Sequence, residues 1–162
     1  MRLVILGAGG YGRVIADLAR QSQRFDEIIF LDDHNGNAAG VCDTFSAYID
    51  SDTEFYPAFG NNEIRMRWLK KLKDADVSVC SLIHASAYVS PTAKIGNGTM
   101  VLPHACIGTD AAVGEGCIIN MHAVVDHDCV IENGVHVCLG AIVKSAKTVR
   151  EYTKVEAGQV IA

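Results

Sequence analysis

Between residues 120 and 129 the chain reads Asn-Met-His-Ala-Val-Val-Asp-His-Asp-Cys, which gathers His122, Asp126, His127, Asp128 and Cys129 into ten positions. Three kinds of chemistry fit such a set. Histidines with carboxylates or a thiolate bind a divalent metal. A histidine beside a carboxylate transfers protons near neutral pH. Polar residues on an exposed surface do neither. A second candidate is Gly7-Ala8-Gly9-Gly10-Tyr11-Gly12, which has the spacing G-x-G-x-x-G. Between a strand and a helix, that spacing turns backbone N–H groups toward a phosphate. Asp32 and Asp33 lie about twenty positions on, where an acidic side chain accepts from a ribose hydroxyl. The plain alternative is a tight strand-to-helix turn that needs glycine and binds nothing.

The elements that must hold these residues change character near residue 80. RLVIL at 2–6 reads as a buried strand, followed by the glycine loop and by apolar residues at helical spacing in VIADLARQSQR. EIIFL at 27–31 is a second strand, so the segment opens as a βαβ unit with parallel strands. FYPAFG predicts a third strand leading to Gly60-Asn61-Asn62, with either asparagine capping a helix over NEIRMRWLKKLKD. VSVCSLI at 77–83 predicts a fourth. A domain this short has no room for two mononucleotide halves, which favours one nucleotide over a dinucleotide.

From Ile83 the period becomes six. Ile83, Val89, Ile95, Val101, Ile107, Val113, Ile119 and onward to Ile161 are all Ile or Val, without a slip. Four residues after each anchor stands a mostly small side chain, with Val135, Lys147 and Gln159 as exceptions. A helix cannot hold that phase, whereas one short strand plus one corner per six residues can. Three repeats close a triangular coil of eighteen residues, and coils stack at the strand spacing of about 4.8 Å. Anchors then point inward, so Val125, Ala123 and Cys129 belong to the core. His104 and His122 fall at equivalent places on adjacent coils.

Composition narrows the function classes. A net charge of −5 over 162 residues disfavours nucleic acid and anionic membranes as partners. No apolar run reaches the length of a membrane span. The N-terminus reads as a first strand rather than a signal peptide, so the expected location is cytoplasmic. The six cysteines form no C-x-x-C pair, which argues against structural zinc and for reduced, core-packing thiols.

The six-residue repeat resembles the left-handed β-helix of the hexapeptide acyltransferases. With GAGGYGR, LDD and FGNNEIRMR in front of it, the chain resembles bacterial nucleotide-sugar acetyltransferases of the sialic-acid O-acetyltransferase type, which include N-acetylating enzymes for UDP-4-amino-sugars. The resemblance implies a Rossmann-like nucleotide-sugar-binding domain over 1–80 and a left-handed β-helix over 81–162. It implies a homotrimer using acetyl-CoA as co-substrate, a UDP-sugar-like acceptor and no metal. By position, Gly10 and Tyr11 would meet phosphate, Asp32 the uridine, and Gly60 with Asn61 the sugar nucleotide. His127 would be the general base and Asp128 the group orienting it, with Asp126 a physical competitor for that role. Asn120 would position substrate or bind an oxyanion. His136, through its backbone N–H, and Gly140 would lie beside the acetyl-CoA thioester. His34 departs from the Lys or Arg usual after the paired acids.

The resemblance further implies more coils than this chain carries, with coenzyme A along them between subunits. Lys144-Ser145 stand where Ala-Gly is usual, and Lys147 and Gln159 take inward corner positions, so irregular or capped last coils are expected. Two other functions stay open at this point. One is a non-catalytic sugar-nucleotide-binding protein of the same fold. The other is a zinc enzyme resembling the γ-class carbonic anhydrases, in which His122, His127 and the more distant His84 would be ligands.

Overall fold

A computed structural model describes all 162 residues, which divide into two compact units, Met1–Cys80 and Ser81–Ala162. In the first, β1 (Arg2–Leu6), β2 (Glu27–Leu31) and β3 (Thr53–Pro57) form a parallel sheet in the order β2-β1-β3. Leu3, Val4, Ile5 and Leu6 of the central strand are fully buried, as a strand covered on both faces must be. Helix α1 (Gly10–Ser22) crosses from β1 to β2, and α2 (Asn62–Asp74) follows β3. Asn61 caps α2, its side chain accepting from the Ile64 N–H at 3.0 Å.

The predicted third strand lies two residues earlier than FYPAFG, and the predicted fourth strand at 77–83 does not form. Only a bridge from Val79 to Phe55 remains, with Phe55 donating to Ser78 and Cys80 donating to Phe55. The apolar run is real, but Val79 and Cys80 are buried against the edge of β3 over one bridge. Leu82–Ile83 then pairs with Met100–Val101 in the coil instead. An apolar run of this length is equally consistent with two partners.

The second unit is a stack of fourteen two-residue strands in three parallel sheets of five, five and four. Each strand pairs with the strand eighteen residues on, as Ile118–Ile119 does with His136–Val137. The anchors from Val101 to Val155 line one apolar core with Ala105, Ala111, Cys117, Ala123, Cys129, Val135 and Ala141. Thr99 is a fully buried polar residue, satisfied by donating to the Gly114 carbonyl and accepting from the Cys117 N–H. Corners are made by residues three past an anchor in the left-handed region, including His104, Asp110, His122, Asp128, Ala146 and Tyr152 with φ of 56° to 59°.

The expectation of irregular last coils is not met, since pairing continues regularly to Val160–Ile161. Lys147 and Gln159 are exposed, in the turn at the end of the stack. Their backbones keep the ladder, Lys147 O accepting from the Val130 N–H and Gln159 O from the Ile142 N–H. All six cysteines are free thiols, and all but Cys106 are buried.

Candidate active site

Three loops meet at the carboxyl ends of the strands in the first unit. In an open parallel sheet the crevice opens where successive connections leave to opposite sides, here between β1 and β3. Ala58 donates to Leu6 O at 2.7 Å, which joins the two loops. Gly7 has φ +105°, and a Cβ there would stand 3.0 Å from Ala58 O. Gly12 is demanded by packing, since its Cβ would fall 2.0 Å from Gly7 O. Gly9 and Gly10 are exposed with open space around them, at the N-terminus of α1, where first-turn N–H groups have no intrahelical acceptor.

Asp32 ties the third loop in. Its Oδ2 accepts from Ala8 N–H at 2.7 Å, and its Oδ1 accepts from His34 and Asn35 at 2.8 and 3.0 Å. These backbone donors, Ala8 first, hold its carboxyl below the ordinary value. Asp33 accepts from the Cys42 N–H at 2.8 Å. The loop from Asp32 to Val41 borders a cavity of about 400 Å³. Tyr11 turns its hydroxyl onto Tyr56 at 2.8 Å, and burial pushes its phenol well above the usual value, with Tyr56 adding to the shift. The hydroxyl is thus engaged within the chain, although Tyr11 as a whole is only half-buried. Gly60 is exposed, and Asn61 uses its Oδ1 for the helix cap.

Arg65 is the residue sequence reasoning passed over. It is fully buried, donating to Phe59 O at 3.0 Å and to Asn62 Oδ1 at 2.8 Å, and so holds both ends of the Gly60-Asn61 loop. The signal was present: Asn62, Arg65, Leu69 and Leu72 share one helical stripe, and a charge on an apolar stripe is informative.

In the coil, His127 and Asp128 form an exposed corner. His127 Nδ1 lies 2.7 Å from Asp128 Oδ2. An ionised carboxylate only accepts, so Nδ1 carries the proton and Nε2 keeps a lone pair that can accept one. Asp126 does something else, accepting from the His127 backbone N–H at 2.8 Å. The Asp128 hydrogen bond raises the imidazole above its ordinary value; loss of hydration opposes this, and the Asp126 and Asp128 charges add to it.

Asn120 stands at the preceding corner, separated from His127 by the strand Val124–Val125. Its Oδ1 accepts from Met121 N–H at 2.8 Å, so Nδ2 is the group 3.0 Å from His136 Nε2 and donates to it. Its other amide hydrogen makes no contact within the chain. The backbone contact expected from His136 is not available: its N–H donates to Thr153 O at 3.0 Å, consumed by the inter-coil ladder. What His136 offers is its ring. Gly140 likewise donates to Met121 O, but with φ +62° and open space at its Cβ position it leaves room for close approach.

His104 and His122 stack with ring centroids 5.1 Å apart, and His84 is engaged with Ser86 Oγ at 2.8 Å. No group of three or more potential metal ligands comes together within the chain.

Comparison with known proteins agrees with this layout. Residues 2–72 match the PglD N-terminal domain. The UDP-N-acetylbacillosamine N-acetyltransferase of Bacillus subtilis (strain 168) is 35% identical over 111 residues, covering 62% of this chain and half of that relative's length. The acetyltransferase domain of PglB from Neisseria gonorrhoeae FA1090, also solved with acetyl coenzyme A, superposes with a TM-score of 0.89 at 30% identity, over 99% of this chain and 91% of that one. PerB from Caulobacter crescentus, solved with CoA and GDP-perosamine, gives 0.85 at 26% identity, over 100% of this chain and 89% of that one. The chain belongs to the nucleotide-sugar acetyltransferases of the PglD type.

Proposed function

We propose that this protein moves the acetyl group of acetyl-CoA onto an amino group of a nucleotide-activated sugar, with His127 as general base. The observation that carries the reading is the His127–Asp128 hydrogen bond, which leaves Nε2 bare and outward. Nε2 takes a proton as the sugar amine attacks the thioester carbonyl. Asp128 steadies the imidazolium that forms, and the thiolate of coenzyme A leaves and is reprotonated. The free hydrogen of Asn120 Nδ2 suits the developing oxyanion, His136 holds that amide, and Gly140 gives the cofactor room. Gly10 and the Tyr11 backbone take the diphosphate, and Gly60 and Asn61 line the sugar nucleotide. Asp32 shapes the loop that faces the uridine or another base.

The same reading makes the first unit Rossmann-like, the coil left-handed, and the protein a cytoplasmic homotrimer. A specific observation favours assembly. The outward row between the corners of Asn120 and His127 is Tyr88, Cys106, Val124, Ile142 and Val160, and Tyr88, Ile142 and Val160 are exposed. The row on the neighbouring sheet is mixed, with Lys94 and Thr148 flanking Ala112 and Val130. Packing that apolar face on further copies hides it and brings Asn120 of one chain toward His127 of the next.

The test is thiol release from acetyl-CoA with UDP- and GDP-linked 4-amino-sugars, comparing wild type with His127→Ala. The variant is expected to lose about 10²–10⁴-fold in kcat while still binding the sugar nucleotide. Absence of wild-type turnover with every amino-sugar nucleotide tried overturns the proposal, and binding without turnover points to a non-catalytic carrier.

A further inference from the structure

Gly108 lies eighteen residues below Asp126, at the corner that carries His127, and its N–H donates to Val125 O at 2.8 Å. A Cβ on Gly108 would stand 2.8 Å from His127 N, 2.9 Å from the Asp126 carbonyl carbon and 3.2 Å from His127 Cα. All three are backbone atoms, so nothing can rotate aside to make room. Gly108 is not among the positive-φ residues, so the demand for glycine comes from the overlying peptide and not from torsion. Its column neighbours make the contrast. Ser90 and Asp126 follow their anchors in the same way and carry side chains, so the coil above each of them leaves space for a Cβ. Over Gly108 the chain comes down to fill that space.

We propose that Gly108 is a positioning residue for the acetyl-transfer reaction, its missing Cβ seating the Asp126–His127 peptide so that the imidazole meets Asp128. The inference rests on the reading of His127 as the base. Two contacts depend on the seat: Asp126 Oδ1 to His127 N–H at 2.8 Å, and His127 Nδ1 to Asp128 Oδ2 at 2.7 Å. A methyl group at position 108 tilts the peptide and loosens both. The acyl-transfer chemistry is unchanged; its alignment is lost.

The molecule contains its own control. Gly96 sits under Gly114–Glu115 in the same construction, with a Cβ position 2.4 Å from the Gly114 carbonyl carbon and 2.6 Å from Glu115 N. Gly96→Ala strains the coil in the same way at a corner without the dyad. The experiment compares Gly108→Ala, Gly108→Ser, Gly96→Ala and His127→Ala in the full chain by thermal melting, steady-state kinetics for both substrates, and the pH profile of kcat/KM. Both glycine-to-alanine variants are expected to melt earlier. Gly108→Ala is expected to lose about ten- to a hundredfold in kcat with the KM for the sugar nucleotide unchanged. Its acid limb moves to lower pH, because His127 has lost part of the support from Asp128. Gly96→Ala is expected to keep kcat within about twofold and the wild-type profile, since its strain leaves the base untouched. The proposal is overturned if folded Gly108→Ala or Gly108→Ser keeps the wild-type kcat and profile, or if Gly96→Ala loses as much. It is also overturned if both Gly108 variants fail to fold while Gly96→Ala folds, since Gly108 is then a folding residue. Retained turnover in His127→Ala is a different failure, that of the base assignment itself.

Discussion

A base works only when neutral, and His127, the proposed base, is held protonated to higher pH than a free imidazole by its hydrogen bond to Asp128, against the pull of its own hydration loss. The acid limb of kcat/KM is therefore expected above the usual imidazole range near 6.5. Asp128→Asn removes that bond and lowers the pKa, so the limb moves to lower pH while kcat falls, because the imidazolium loses its partner. The Asp126 charge remains, so the limb does not return fully to the free value. An unmoved limb in Asp128→Asn would sink this account. The pairing of His127 with Asp128 was half legible in the sequence. NMHAVVDHDC shows two flanking carboxylates, and nothing in one dimension tells which turns toward Nδ1 and which toward the backbone N–H. The six-residue phase did assign Ala123, Val125 and Cys129 to the interior, where all three are fully buried. The His136 backbone contact was out of reach of the sequence for a related reason: its N–H is taken by Thr153 O on the next turn of the coil, a partner that only the stacking supplies.

At the scale of elements, the glycine loop divides between residues that face open space and residues that pack. Gly10 faces open space, while Gly12 lies against the Gly7 carbonyl. Gly12→Ala places a methyl 2.0 Å from that oxygen and must separate α1 from β1. The expected cost is about 3 kcal/mol, read as a lower midpoint in chemical denaturation, with nucleotide binding weakened as the loop shifts. A variant as stable as wild type would show that the loop has slack the packing denies. The motif announced a glycine at this place, but could not separate phosphate access from helix–strand contact. Strong periodicity made β1, β2 and α2 readable to the residue. The missing fourth strand failed for want of such a signal: a short apolar run has no period of its own, and pairing choices made elsewhere decided it. Arg65 needed the helical stripe to be read for charge as well as for apolar content.

At the scale of the whole molecule, one long face of the coil is apolar at every outward position, with the proposed donor Asn120 along one edge and the proposed base along the other. A charge in the middle of that face is expected to separate the copies without disturbing any one coil. Ile142→Asp should sediment as a monomer, keep its strand content by circular dichroism, and lose turnover because the two halves of the site no longer meet. Full activity from a monomeric Ile142→Asp would mean that one chain holds a complete site. The coil also behaves as a screw thread. One turn is eighteen residues and advances one strand spacing, about 4.8 Å, and each face takes a third of a turn. Lengthening the thread by whole turns slides His127 along its own edge, still looking the same way. Lengthening it by six residues delivers the histidine to the wrong edge, a rotation no local repacking can undo. In such a molecule length is counted in turns, and the position of a functional group is an angle before it is a distance.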